Sequence, residues 1–158
     1  MLPEKPDVHT ARTIPTNALR TRRGEFLGEM DRLLPWGAWE KQIAMHYPKR
    51  GKGRPHYPLP ALLRYHLLRQ WFHLSERGAQ DAVADSVAVR EFMGMGLVWD
   101  KGAPDEGTYL KFRRLIRRDH LAERIAADLG EYLARHGWKI RLGEIAEAGI
   151  VARRQVDA

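Results

Sequence analysis

The chain contains no cysteine. That removes disulfides, thiolate metal sites and cysteine nucleophiles together, and it suits a reducing compartment. It also lacks any apolar run of about 18 residues, so no transmembrane helix is expected. The first sixteen positions carry three prolines and no apolar h-region, so a secretory leader is not expected there. No phosphate-binding glycine loop, dinucleotide fingerprint or nucleophile elbow occurs, which leaves nucleotide-loop and serine-hydrolase chemistry without support. The seven histidines are not arranged at metal-ligand spacing, and no thiolate is present to complete a set.

Acid is missing from one long stretch. Between Lys41 and Ser75 there is no Asp or Glu, while Lys41, Lys49, Arg50, Lys52, Arg54, Arg64 and Arg69 supply seven cations. Those seven equal the net charge of the whole chain, which is +7 from 27 Lys+Arg and 20 Asp+Glu. Positions 76–106 reverse the balance with seven acids and three bases, and 107–119 return to five bases and one acid. Clustered base in a chain of pI near 10.0 is the electrostatic footprint of a polyanion binder.

Hydrophobic periodicity then predicts a mainly α fold. Positions 1–16 are short, polar and proline-rich and are expected to be disordered; 17–137 form a helical domain; 138–158 change character. Leu19, Phe26, Leu27, Met30, Leu33 and Leu34 space out a helix over 18–34. Pro35 ends it and opens a second, short one. The segment Tyr47-Pro-Lys-Arg-Gly-Lys-Gly-Arg-Pro-His-Tyr-Pro58 has three prolines and two glycines and reads as a basic loop. Positions 59–72 are apolar on nearly every side, as in a helix with neighbours all round. Two short helices at 75–84 and 86–93 give a helix-turn-helix-like pattern, although their acids argue against insertion into a groove. Helix 106–118 places Tyr109, Phe112, Leu115 and Ile116 in one arc and Lys111, Arg113, Arg114, Arg117 and Arg118 opposite. A further helix covers about 120–135. After it, Trp138-Lys-Ile-Arg-Leu142 alternates with period two, and a second strand is expected within 145–151.

Two segments are candidate polyanion contacts. Lys49, Arg50, Lys52 and Arg54 are spaced by glycines that permit close approach to phosphate, and Arg64 and Arg69 lie in the same acid-free stretch. Lys111, Arg113, Arg114, Arg117 and Arg118 form a like-charged face whose mutual repulsion a polyanion would relieve. The tryptophans Trp36, Trp39 and Trp71 stand at helical spacing and read as core; Trp99, in a glycine-rich loop, is the least determined. Glu144 and Glu147 are two acids near the end, short of what a two-metal site needs.

The blocks Met30-Asp-Arg-Leu-Leu-Pro-Trp36, the basic loop, and Leu63-Arg-Tyr-His-Leu-Leu-Arg-Gln-Trp-Phe-His-Leu-Ser75 resemble the N-terminal region of InsH-type transposases, of the insertion sequence five family. The resemblance continues through Arg90-Glu-Phe-Met-Gly94, Pro104-Asp-Glu-Gly-Thr-Tyr-Leu-Lys-Phe-Arg-Arg-Leu115, His120-Leu-Ala-Glu and Gly143-Glu-Ile-Ala-Glu-Ala-Gly-Ile-Val151. It implies a helical bundle that binds and assembles on DNA, followed by a C-terminal β-hairpin that starts an RNase H-like domain, here incomplete. Such enzymes use three acids and divalent metal, Mg, to cut and join strands. Glu147 stands where the resemblance expects the first Asp, and the other two acids have no counterpart, so this chain alone is expected to be inactive and to hold no metal. The partner implied is double-stranded DNA at the inverted-repeat ends, with a homo-oligomer or a full-length transposase as protein partner and a bacterial, cytoplasmic, nucleoid-associated setting. Two other roles remain open: an interaction fragment that inhibits a full-length transposase through the acidic 75–93 region, or a remnant without function.

Overall fold

The computed structural model describes residues 21–49, 53, 56–95, 102–139 and 153–154. Among these the chain forms seven helices: α1 (Arg22–Leu33), α2 (Trp36–Ala44), α3 (Leu59–Trp71), α4 (Glu76–Asp85), α5 (Val87–Phe92), α6 (Glu106–Arg118) and α7 (Leu121–Arg135). Two-residue strands, β1 (Trp138–Lys139) and β2 (Arg153–Arg154), pair antiparallel, with Trp138 opposite Arg154. The strand expected within 145–151, the segment 1–16 and Glu147 lie outside the described residues.

The helix starts follow from side chains that satisfy orphan backbone donors. Thr21 accepts from Gly24 N, Ser75 from Gly78 N, Ser86 from Val89 N and Asp105 from Thr108 N. Two starts have no side-chain cap: Pro35 and Pro58 precede α2 and α3, and Pro60 sits within the first turn of α3, where no intrahelical donor is lost. A four-residue turn, 72–75, joins α3 to α4, whereas α4 and α5 meet at Ser86 alone. The latter junction is shorter than the turn of a helix-turn-helix motif. The α6–α7 corner is Asp119 and His120, and His120 takes a left-handed φ of 53°, a conformation open to histidine more than to most residues.

Helix α3 is the axis of the core. Ala61, Leu62, Leu63, Tyr65, His66, Leu67, Leu68 and Trp71 are all buried, as an all-round apolar pattern requires. It packs against α2, α4 and α6, while α7 lies on α6 and α2, and α1 on α5. Phe26 and Trp71 meet edge to face at 5.4 Å, and Trp36 meets Trp39 at 5.5 Å and Phe92 at 5.6 Å in the same manner. The indole donors find partners where the geometry allows: Trp36 Nε1 donates to Met30 O and Trp39 Nε1 to Asp128 Oδ2. These three tryptophans are core residues, as their spacing implies. No helix among the described residues is long and apolar enough to cross a membrane.

Arg64 is held on several sides in this core. Its guanidinium lies 4.2 Å from the Trp36 ring centroid and 5.0 Å from that of Phe92. It donates to Asp31 Oδ1 at 2.6 Å and to Phe92 O at 2.8 Å, tying α1 and the end of α5 to α3. Removing it leaves the Phe92 carbonyl without this donor, gives up both ring contacts and turns Asp31, 37% exposed, over to water. Arg64→Ala is expected to cost about 3 kcal/mol of unfolding free energy. Asp31→Asn should cost clearly less, since the carbonyl and both rings stay engaged. Urea titrations of the two variants against the parent check this; an Arg64→Ala midpoint within error of the parent contradicts it.

Candidate nucleic-acid interface

Helix α6 presents two unlike faces because its apolar residues recur at three and four. Tyr109, Phe112 and Ile116 are buried against the core. Lys111, Arg114, Arg117 and Arg118 are exposed, and Arg113 is half-buried, its guanidinium 5.9 Å from the Tyr109 ring centroid. None of the ion pairs among the described residues uses these five cations. The pairs Arg113–Arg117 and Arg114–Arg118 are like charges at i,i+4, each unfavourable by roughly 0.2–0.5 kcal/mol. The helix dipole favours Arg117 and Arg118 in the last turn, but it does not reach Lys111, Arg113 or Arg114. The face is therefore left with uncompensated repulsion that an anion would remove.

The single acid of the 107–119 stretch does not relieve it. Asp119, at the C-cap of α6, lies 3.2 Å from His46 Nδ1. That contact carries the end of α2 to the C-terminal end of α6. Lys49, exposed, follows His46 by three residues, within about 11 Å along an extended chain. The start of the basic loop thus lies near the C-terminal end of α6. Tyr47 and Tyr57 clasp the base of that loop. Tyr47 donates its hydroxyl to Tyr57 O, and Tyr57 donates to Gly102 O at 2.9 Å. Burial pushes both phenol groups up from their ordinary range, Tyr57 the more strongly. Arg50, Lys52 and Arg54, within the loop, lie outside the described residues.

Arg64 and Arg69, expected from charge clustering to contact a polyanion, face inward instead. Their side chains are only 15% and 12% exposed. Arg69 donates to Glu106 Oε2 at 2.9 Å and stacks 4.1 Å from the centroid of Tyr109. Because α3 is buried all round, a cation on it can lie only among core partners or at the rim. Charge counting along the chain is blind to their partners Asp31 and Glu106, which lie 33 and 37 residues away. Conversely, the His46–Asp119 contact that joins the two basic regions has no pattern in the sequence that would reveal it.

On the acidic side, Glu76, Asp81, Asp85 and Glu91 of α4 and α5 are exposed, so that surface repels polyanions. Among the described residues no three His, Asp or Glu side chains gather as a metal site. Trp99 lies outside the described residues.

Beneath α6, His66 is 5% exposed, with Nδ1 3.2 Å from the Tyr109 hydroxyl. Burial, reinforced by Arg113, Arg117 and Arg69, lowers its pKa to about 4. The folded chain therefore binds this proton less readily than the unfolded chain, so stability falls as pH drops from 6.5 towards 4. The loss across that window is roughly 3 kcal/mol. Unfolding free energies at pH 7 and pH 4.5 for the parent and for His66→Phe check this. The variant should lose much of the pH dependence in that interval; an unchanged slope contradicts the assignment.

Comparison with known proteins gives one family. The model described as a transposase domain, DUF772, matches residues 15–115, which spans well over half of the chain and ends inside α6. No solved structure matches the chain.

Proposed function

Since the chain belongs to the transposase domain family DUF772, we propose that its helical region is the DNA-holding part of a transposase, of the InsH type within the insertion sequence five family. Its ligand is double-stranded DNA at the inverted-repeat ends of the element. The observation that carries this reading is the α6 face, where Lys111, Arg113, Arg114, Arg117 and Arg118 have no acidic partner among the described residues. Lys49 follows by three residues the His46–Asp119 contact at the C-terminal end of α6, and the loop cations Arg50, Lys52 and Arg54 are taken as further phosphate contacts on the strength of their sequence alone. Arg64 and Arg69 take no part in binding; they fix the helices that display the others.

In this reading the helical region contributes alignment of the ends rather than strand chemistry. The affinity is mostly electrostatic, from release of counterions condensed on the duplex. Binding must then weaken linearly in log–log terms with salt, with a slope of about −0.9 per phosphate neutralised. The acidic surface of α4 and α5 repels a duplex and suits a protein contact instead, such as a second transposase copy in the assembled complex.

Neutralising Arg113, Arg114, Arg117 and Arg118 to Gln together should weaken binding to any duplex and reduce the magnitude of the salt slope by about three to four. Fluorescence anisotropy over a salt series reads both quantities. An unchanged slope would remove α6 from the interface.

A further inference from the structure

The α6 face is not a uniform cationic strip, and its pattern bears on how a duplex would lie against it. This inference rests on the DNA-binding reading above. At about 100° per residue, with Leu110 as origin, Arg117 stands at about −20° and Arg114 at about +40°. Arg113 marks one edge at about −60°, and Arg118 and Lys111 mark the other at about +80° and +100°. Leu110 is thus near the midline of the face, with cations on both flanks. It is one of three large apolar side chains exposed among the described residues, at 36%. Gly107, one turn before it, is also exposed and keeps the N-terminal end of the helix slim on this side.

A helix that follows a single phosphate strand needs one row of cations, and an apolar residue inside that row contributes nothing. The outermost cations, Arg113 on one edge and Arg118 and Lys111 on the other, stand about 140–160° apart and suit two walls of phosphates, while Arg114 and Arg117 lie beside Leu110. The major groove, about 12 Å wide, admits a helix of 10–12 Å diameter and places a phosphate backbone on each side. Arg113, its guanidinium 5.9 Å from the Tyr109 ring centroid, fits one wall, and Lys111 and Arg118 fit the other. The midline then faces the groove floor, where base edges are presented. The apolar group offered there by DNA is the C5-methyl of thymine. The geometry points to α6 as a helix seated in the major groove, with Leu110 as a base-reading residue that contacts a thymine methyl.

The experiment uses the full chain and a pool of randomised duplexes, from which tightly bound members are retained over competitor DNA. A retained duplex is then remade with deoxyuridine in place of each thymine in turn, which removes only the methyl group. One such exchange should weaken the parent protein about fourfold, the value of one buried methyl-sized group. Leu110→Ala and Leu110→Gln should bind the thymine and uracil duplexes equally, with the salt slope of the parent. If no exchange affects the parent, or if both variants still discriminate, Leu110 does not read the base, while a steep salt slope leaves the proposed function standing. If no duplex is retained and binding shows no salt dependence, the DNA-binding reading is overturned and this inference with it.

Discussion

Arg69 holds the display helix to the centre of the molecule. It reaches from α3 to Glu106 in the first turn of α6, lies against the ring of Tyr109, and also donates to Leu74 O in the turn between α3 and α4. One side chain therefore satisfies a carboxylate and a turn carbonyl while covering an aromatic face. Next to it, His66 meets Tyr109 and Phe112 edge-on or tilted, and Tyr65 meets Tyr109 at 5.6 Å. The rotation of α6 about its own axis is set by these contacts. Its outward arc is simply what that rotation leaves over.

The same cation chemistry serves two purposes, decided by location. Arg64 and Arg69 lie in low-dielectric surroundings, where an ion is tolerable only with a partner and where aromatic faces add to its stabilisation. The outer cations of α6 stay in water, where five of one sign cost little in solvation but repel one another. Planar arginine suits both settings, since it pairs with a carboxylate inside and with phosphate outside through the same fork of donors. The neutral state of His66 belongs to this arrangement: a proton there would sit beneath Arg113 and Arg117 with no acid beside it.

All seven helices of the described region are legible in the sequence, and the reason is local. Thr21, Ser75, Ser86 and Asp105 cap the helices that follow them, and Pro35 and Pro58 mark starts that side-chain caps do not. The apolar stripe of α6 and the all-round pattern of α3 also follow from period 3.6. The family match to residues 15–115 agrees with the transposase resemblance carried by those blocks. The helix-turn-helix-like reading of 75–93 is less well served, because linker length is a matter of one or two residues, where periodicity has little resolution.

By itself the sequence determined which segments are helical, which arc of α6 is polar, and that base is concentrated in two regions. Each of those depends on residues within a few positions of one another. Only the tertiary structure decided which cations face the solvent, because the partners of Arg64 and Arg69 come from distant helices and because α3 has no polar face to indicate a direction. It also decided that the chain just after α2 meets the C-cap of α6, through the contact of His46 with Asp119. Local spacing sets what a helix can present; the neighbours that bury its other side set what it does present.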